Sequence, residues 1–177
     1  MTMKHMRTSI LFAVLLAVAT PAAAQQVIFL VRHAERADGG AGASTPAPAP
    51  GMMANDPPLS AAGEQRAEKL AAMLAASGIR QIFVTEYRRT AQTAAPLAAR
   101  LKLTPVTTSA RNADALLEQV RRAEGNVVLV GHSNTLPELL KKLGIADTIT
   151  IADSDYDDLF IVSRDTAGKV SLARLKY

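Results

Sequence analysis

Cysteine is absent from the 177-residue chain, which excludes disulfides, thiolate metal sites and a cysteine nucleophile. Aromatic residues make up only 4%, so the core must be built mainly from Ala, Val, Leu and Ile. Charge of one sign does not dominate, with 20 Lys and Arg against 16 Asp and Glu, a formal net charge of +4. That balance is not a nucleic-acid footprint, although it is compatible with small acidic substrates. Histidine is scarce at three residues, which makes the position of each one informative. What is present fits a globular protein of one ordinary domain, with 49% hydrophobic and 20% charged residues.

The N-terminus reads as a separate object. Lys4 and Arg7 give a positive start, Ile10 to Ala19 an apolar run, and Pro21-Ala22-Ala23-Ala24 a small-residue cleavage pattern. This is the layout of a secretory signal peptide over residues 1–24, and the run is short of the ~20 residues that a bilayer crossing needs. No cysteine follows it, so lipid attachment there is excluded. Its removal takes away two bases and no acid, which lowers the formal charge from +4 to +2. The expectation is an exported, periplasmic domain over residues 25–177 without stable membrane insertion. His5 leaves with the leader, so His33 and His132 remain.

Val27 to Val31 and Val127 to Val130 are continuous apolar runs, the pattern of strands buried on both faces. Asp38 to Pro58, rich in Gly and Ala with five prolines, reads as a long mobile loop. Ser60 can cap a helix carrying Ala67, Leu70 and Leu74 on one face, stopped at Gly78. Ile79 to Val84 is a second strand. Arg89 to Leu101 is a helix with Pro96 a candidate kink. Thr104 to Thr107 is a short strand, and Asn112 to Ala123 a helix. Leu136, Leu139, Leu140 and Leu143 repeat at helical spacing. Leu159 to Ser163 and Val170 to Leu175 are two strands around an Asp-Thr-Ala-Gly turn. This alternation predicts an α/β three-layer sandwich, a mostly parallel sheet with helices on both faces.

In such sheets ligands sit beyond the carboxyl ends of the strands, where strand order reverses. Three segments end a buried strand with polar residues: Arg32-His33, Thr85-Glu86 and Gly131-His132-Ser133. Arg88 and Arg89 stand where a helix begins, a place that disfavours a cation unless it faces an anion. Ser133 and Asn134 offer backbone N–H groups that open a helix, an anion seat. Two imidazoles with guanidiniums suit phosphoryl transfer: a neutral imidazole attacks phosphorus, and forked guanidiniums hold the equatorial oxygens. Nearby arginines also keep His33 unprotonated. No metal or cofactor is required by this set.

These residues resemble the histidine phosphatase superfamily, which includes the phosphoglycerate mutases. Leu30-Val31-Arg32-His33-Ala34-Glu35 is similar to its R-H-G/A-E signature, and Leu59-Ser60-Ala61-Ala62-Gly63-Glu64-Gln65-Arg66-Ala67 to its L-[ST]-x-x-G-x-x-[QR]-A stretch. Arg89-Thr90-Ala91-Gln92-Thr93 resembles R-[AT]-x-Q-T, which selects Arg89 over Arg88, and Gly131-His132-Ser133 resembles the G-H motif. The matches run in family order from Val27 to Leu143. The resemblance implies a phosphoglycerate mutase-like fold and a phosphatase of acid phosphatase type. It implies transient phosphorylation of His33, phosphoryl binding by Arg32, Arg89 and His132, and release by water. Arg36, Ser133 and Asn134 become rim contacts for a small phosphorylated substrate. Many members carry a proton-donating glutamate shortly after the third strand. Here Val106 to Asn112 holds no carboxylate, so the general acid stays open, with Glu86 the first candidate and Asp56 and Glu138 its rivals.

Gly131-His132-Ser133-Asn134-Thr135 also approaches the G-x-S-x-G elbow of serine hydrolases, but no histidine follows His132 to serve as base. Asp153 to Asp158 invites a calcium reading, yet Asp158 and Arg164 stand where an EF-hand needs Gly and Glu. A solvated acidic loop near the site mouth is the expectation there. An exported phosphoester-binding module that lost turnover is the non-enzymatic alternative, supported by the missing glutamate. A mutase is disfavoured, because export separates it from glycolytic intermediates. Substrate identity and oligomeric state are not legible.

Overall fold

The computed structural model describes residues 26–38, 56–165 and 167–177. The expected leader and most of the loop expected over residues 38–58 therefore lie outside the described residues. Among the described residues no helix is long and apolar enough to cross a membrane.

Ten elements alternate along the chain: β1 (Val27–Arg32), α1 (Ala61–Leu74), β2 (Ile79–Thr85), α2 (Arg88–Leu101), β3 (Val106–Thr108), α3 (Ala113–Arg122), β4 (Asn126–Gly131), α4 (Leu136–Lys142), β5 (Asp158–Arg164) and β6 (Val170–Lys176). The sheet has six strands in the order β3-β2-β4-β1-β5-β6. The first four in that order pair in parallel, whereas β5 and β6 add as an antiparallel edge. The split has a simple cause. Helices return the chain between the parallel strands, while a turn of a few residues joins β5 to β6.

Alternation along the strands builds two cores. Ile28, Leu30, Val127, Leu129 and Phe160 pack against Leu116, Leu117, Val120 and Leu140 of α3 and α4. Phe29, Val31, Val128 and Val130 pack against Leu70, Leu74, Leu97 and Ala98 of α1 and α2. The three-layer α/β expectation holds, with one helix pair on each face.

Three details differ from the sequence expectation, while α2 ends at Leu101 as expected. The first helix ends at Leu74 rather than at Gly78, whose φ of +65° instead turns the chain into β2. The third strand begins at Val106, two residues late, because Pro105 has no N–H to give the ladder. Pro96 sits inside α2, which runs on to Leu101. The α4 helix begins only at Leu136, so Ser133 and Asn134 occupy the turn before it rather than opening it.

The α1 start is local chemistry: the Ser60 hydroxyl accepts the Gly63 N–H at 3.1 Å. At α2 the N-cap residue Tyr87 supplies no side-chain cap. Both Asp56 carboxylate oxygens accept the Arg88 N–H instead, at 3.0 and 2.9 Å. The chain on either side of residues 39–55 is pinned together, with Ala37 N–H donating to Pro58 O at 2.9 Å and Arg36 bridged to Leu59.

Candidate active site

Strand β1 pairs with β4 in parallel, Arg32 opposite Gly131, so the residues that follow each strand emerge side by side. The His33 N–H donates to Gly131 O at 2.9 Å and locks the two ends together. From there the chain leaves to opposite faces, towards α1 after β1 and into α4 after β4. That divergence opens a crevice at the carboxyl edge.

The two imidazoles meet in it. Their ring centroids are 5.3 Å apart with planes at 62°, and both residues are buried, at 4% and 6% exposure. His33 Nδ1 lies 2.9 Å from Ala34 O. A carbonyl can only accept, so Nδ1 carries the proton and Nε2 keeps its lone pair. Burial pulls the His33 pKa down to about 3, against the Ala34 hydrogen bond, which favours the cation. The charges of Arg89, His132 and Arg32 add to the lowering. Burial and then the Arg89 charge lower His132 to about 4.

Two guanidiniums flank the rings. Arg32 is buried; its Nη1 donates to the carbonyls of Ala152, Asp153 and Asp155 at 2.8, 3.0 and 3.1 Å. Its Cζ stands 4.1 Å from the centre of the Tyr156 ring. Arg89 places Nη2 3.4 Å from His132 Nδ1 and Nη1 3.3 Å from Asp56 Oδ1, with Cζ 4.3 Å from the Tyr87 ring. Burial also lowers the Arg89 pKa. Arg36 pairs with Asp38, and its charge adds to the lowering of the Arg89 pKa. Among the described residues, Arg32, Arg36 and Arg89 each keep a buried Nε–H without a partner. Buried cationic donors of this kind suit an oxyanion partner.

The other candidates separate clearly. Glu86 is exposed and its Oε2 accepts the Ala110 N–H at 2.8 Å, so it fastens the loop after β3. Glu138 is exposed on α4, 3.9 Å from Lys142. Asp56, one of the rivals, is the carboxylate in contact with Arg89. Ser133 is half-buried and Asn134 exposed in the turn after His132.

The acidic segment departs from its expected role as a solvated loop. Its carbonyls hold Arg32, and Tyr156 lies 6.1 Å from the His33 ring. Asp158 is buried and paired with Arg174 at 2.7 Å and Lys176 at 3.0 Å. The sequence reading placed Thr85 at the site edge but gave no role to it, to Thr90 or to Tyr87; the two hydroxyls back His132, and the Tyr87 ring centroid is 5.1 Å from that of His132. No local pattern marks these residues. The one available signal was the position of Thr85 at a strand end.

Residues 28–112 match the family model "Histidine phosphatase superfamily (branch 1)". Over that stretch the chain resembles the histidine phosphatase superfamily in sequence, and its fold agrees. No curated protein matches it in sequence. Solved structures of similar fold include a mycobacterial glucosyl-3-phosphoglycerate phosphatase, 13% identical over 86% of this chain and 98% of that one, with a TM-score of 0.62. SixA from Agrobacterium tumefaciens is 21% identical over 85% and 98%, with a TM-score of 0.58. A protein histidine phosphatase SixA complexed with tungstate is 16% identical over 85% and 96%, with a TM-score of 0.59. The structure brings Arg32, His33, Arg89 and His132, the residues on which the resemblance rests, to one sheet edge. The glutamate that many members carry after the third strand has no counterpart between Val106 and Asn112.

Proposed function

We propose that this protein hydrolyses phosphomonoesters through a phosphohistidine formed on His33, without a metal ion. The observation that carries the reading is the state of His33. It is buried and uncharged at neutral pH, with Nδ1 tied to Ala34 O and the lone pair left on Nε2, 5.3 Å ring to ring from His132.

In the first half-reaction Nε2 attacks phosphorus and the bond from phosphorus to the leaving oxygen breaks. Arg32 and Arg89 hold the phosphoryl oxygens as charge spreads over them, and the other phosphatases of this fold favour hydrolysis over transfer. In the second, water attacks the N-phosphoryl group, the P–N bond breaks, and the lone pair returns to Nε2. Asp56, rather than Glu86, is the carboxylate we assign to proton exchange with the leaving oxygen and with the water, because it touches Arg89 while Glu86 serves Ala110. Arg36, Ser133 and Asn134 form the rim toward a small phosphorylated substrate. Residues 1–24 act as a cleaved export leader, so the mature protein works in the periplasm. A mature N-terminus at Gln25 is the expected result of sequencing the secreted chain.

Rapid quenching with an aryl phosphate tests the chemistry. The expected result is an acid-labile phosphoryl group on His33, formed and lost at the turnover rate and absent from His33→Ala. Product formation without it overturns the covalent route. Tight phosphate binding with no product over a single turnover establishes a phosphoester-binding module instead.

A further inference from the structure

We infer that Thr85 and Thr90 are positioning residues for the second histidine. Their coupled hydroxyls hold His132 in one tautomer, with the proton on Nε2 and the lone pair on Nδ1, the ring edge beside Arg89. The inference rests on the phosphoryl-binding role given above to His132, but the tautomer itself can be measured without any activity.

Counting donors and acceptors leads to this assignment. The Thr90 Oγ1 lies 2.7 Å from Tyr87 O, a carbonyl that can only accept, so Thr90 spends its single proton there. It also accepts the Thr85 N–H at 3.1 Å. The contact of 3.0 Å between the two hydroxyls must then be a donation from Thr85 to Thr90. With its proton committed, Thr85 Oγ1 meets His132 Nε2, also at 3.0 Å, as an acceptor. Nε2 therefore carries the hydrogen. The far side of the ring agrees: Arg89 Nη2, a donor that is never an acceptor, faces Nδ1 at 3.4 Å. The opposite tautomer would set two N–H groups against each other there and leave the single Thr85 proton to serve two acceptors, Thr90 Oγ1 and His132 Nε2.

Thr85 and Thr90 are both buried, and the chain of bonds ends on a backbone carbonyl, so water does not compete for it. The consequence is directional. A proton gained by His132 can land only on Nδ1, the edge shared with Arg89. A phosphoryl dianion bound there attracts that proton from solvent, and the imidazolium then donates to a phosphoryl oxygen while Nε2–H stays on Thr85. Nothing in the side-chain pattern of either strand announces this arrangement, since Thr85 and His132 are 47 residues apart.

Nitrogen NMR of the imidazoles tests it, and the mature chain's two histidines make the spectrum simple. In the wild-type protein at neutral pH, His132 is expected as the Nε2–H tautomer. Thr85→Val, which keeps the β-branched shape and loses the hydroxyl, is expected to yield a mixture of tautomers, while Thr85→Ser restores the single form. Turnover of an aryl phosphate is expected to drop roughly 10–100-fold in Thr85→Val, mostly in kcat, and to recover in Thr85→Ser, the scale seen when the partner that orients a functional imidazole is removed. Thr90→Val is expected to loosen the tautomer in the same direction. An Nδ1–H tautomer in the wild type, or an unchanged tautomer in Thr85→Val, overturns the proposal. If Thr85→Val does not fold, the wild-type spectrum and Thr85→Ser still decide. If no turnover is found at all, the proposed function fails while the tautomer assignment stands or falls on the spectra.

Discussion

A Cβ on residue 63 would come within 2.3 Å of the Glu35 carbonyl oxygen, so Gly63 lets α1 pack directly on the backbone that follows His33. The same carbonyl accepts the Ser60 N–H at 2.9 Å, and the Glu35 carboxylate grips Arg66 one helical turn further on, with contacts of 2.6 to 2.9 Å. The glycine thus serves close approach rather than an unusual φ. Within an exposed helix Gly→Ala stabilises by about 0.5–1 kcal/mol. Gly63→Ala is expected to do the reverse, destabilising by about 1–3 kcal/mol because neither backbone can give way. Urea denaturation measures it, and an unchanged or raised midpoint contradicts the packing described here. Turnover should fall as well, since Glu35 lies two residues from His33.

A second expectation concerns acid. In the folded chain His33 is held at a pKa of about 3 and His132 at about 4, both chiefly by burial, against an ordinary 6.5. Above pH 6.5 the rings are neutral in folded and unfolded chains alike, and they contribute no pH dependence. Below it the unfolded chain binds protons that the native rings refuse, so stability is lost as pH falls from 6.5 towards about 4. The slope is ~1.4 kcal/mol per pH unit for each histidine, or on the order of 4 kcal/mol for the pair between pH 8 and pH 5. His132→Asn should halve that loss. Urea midpoints at pH 8, 6 and 5 provide the check, and a flat profile would mean that the rings are solvated.

Much of this arrangement was legible because it is written locally. Val27 to Val31 and Val127 to Val130 are apolar without interruption, so they had to be central strands, and a polar Arg32-His33 or His132 after each had to lie at the sheet edge. The order of strands was not legible, but once β1 and β4 are neighbours their histidines meet by register alone. What escaped the sequence is side-chain pairing over long separations. Arg32 is held by carbonyls 120 or more residues away, in a segment whose aspartates suggested a solvated loop near the site mouth but not a seat for this guanidinium. Asp158 in that run is buried by its antiparallel partner β6, a pairing that periodicity cannot foresee. The ranking of Glu86 ahead of its rival Asp56 also rested on local sequence alone. Adjacency to the strand end favoured Glu86, whereas the geometry of α2's first turn places Asp56 on the Arg89 guanidinium.

Arg88 and Arg89 differ by one position and should differ greatly in consequence. Arg89 is half-buried against Tyr87, His132 and Asp56, while Arg88 is exposed and meets Asp56 through its backbone N–H. Arg89→Ala is expected to remove ~3–4 kcal/mol of transition-state stabilisation, the scale of a lost oxyanion donor. Arg88→Ala leaves its N–H in place and should stay near wild type. Comparing kcat/KM for the two variants on one aryl phosphate gives the answer, and equal losses would contradict the choice of Arg89.

The assignment of Asp56 predicts a dependence on the leaving group. A nitrophenolate departs with little help, whereas an alkoxide needs a proton as the bond to phosphorus breaks, so only the alkyl ester exposes a missing donor. Asp56→Asn keeps a side-chain oxygen to accept the Arg88 N–H and the Arg89 contact, but it cannot exchange a proton. It should therefore slow alkyl phosphate hydrolysis by roughly 10²–10⁴ and nitrophenyl phosphate hydrolysis far less. Glu86→Gln, altering an exposed carboxylate already engaged by Ala110, should change neither rate appreciably. Steady-state rates across a series of esters of graded leaving-group pKa separate the two residues by slope. A steeper slope for Glu86→Gln than for Asp56→Asn would return the proton donor to the strand end and leave Asp56 as a cap for α2.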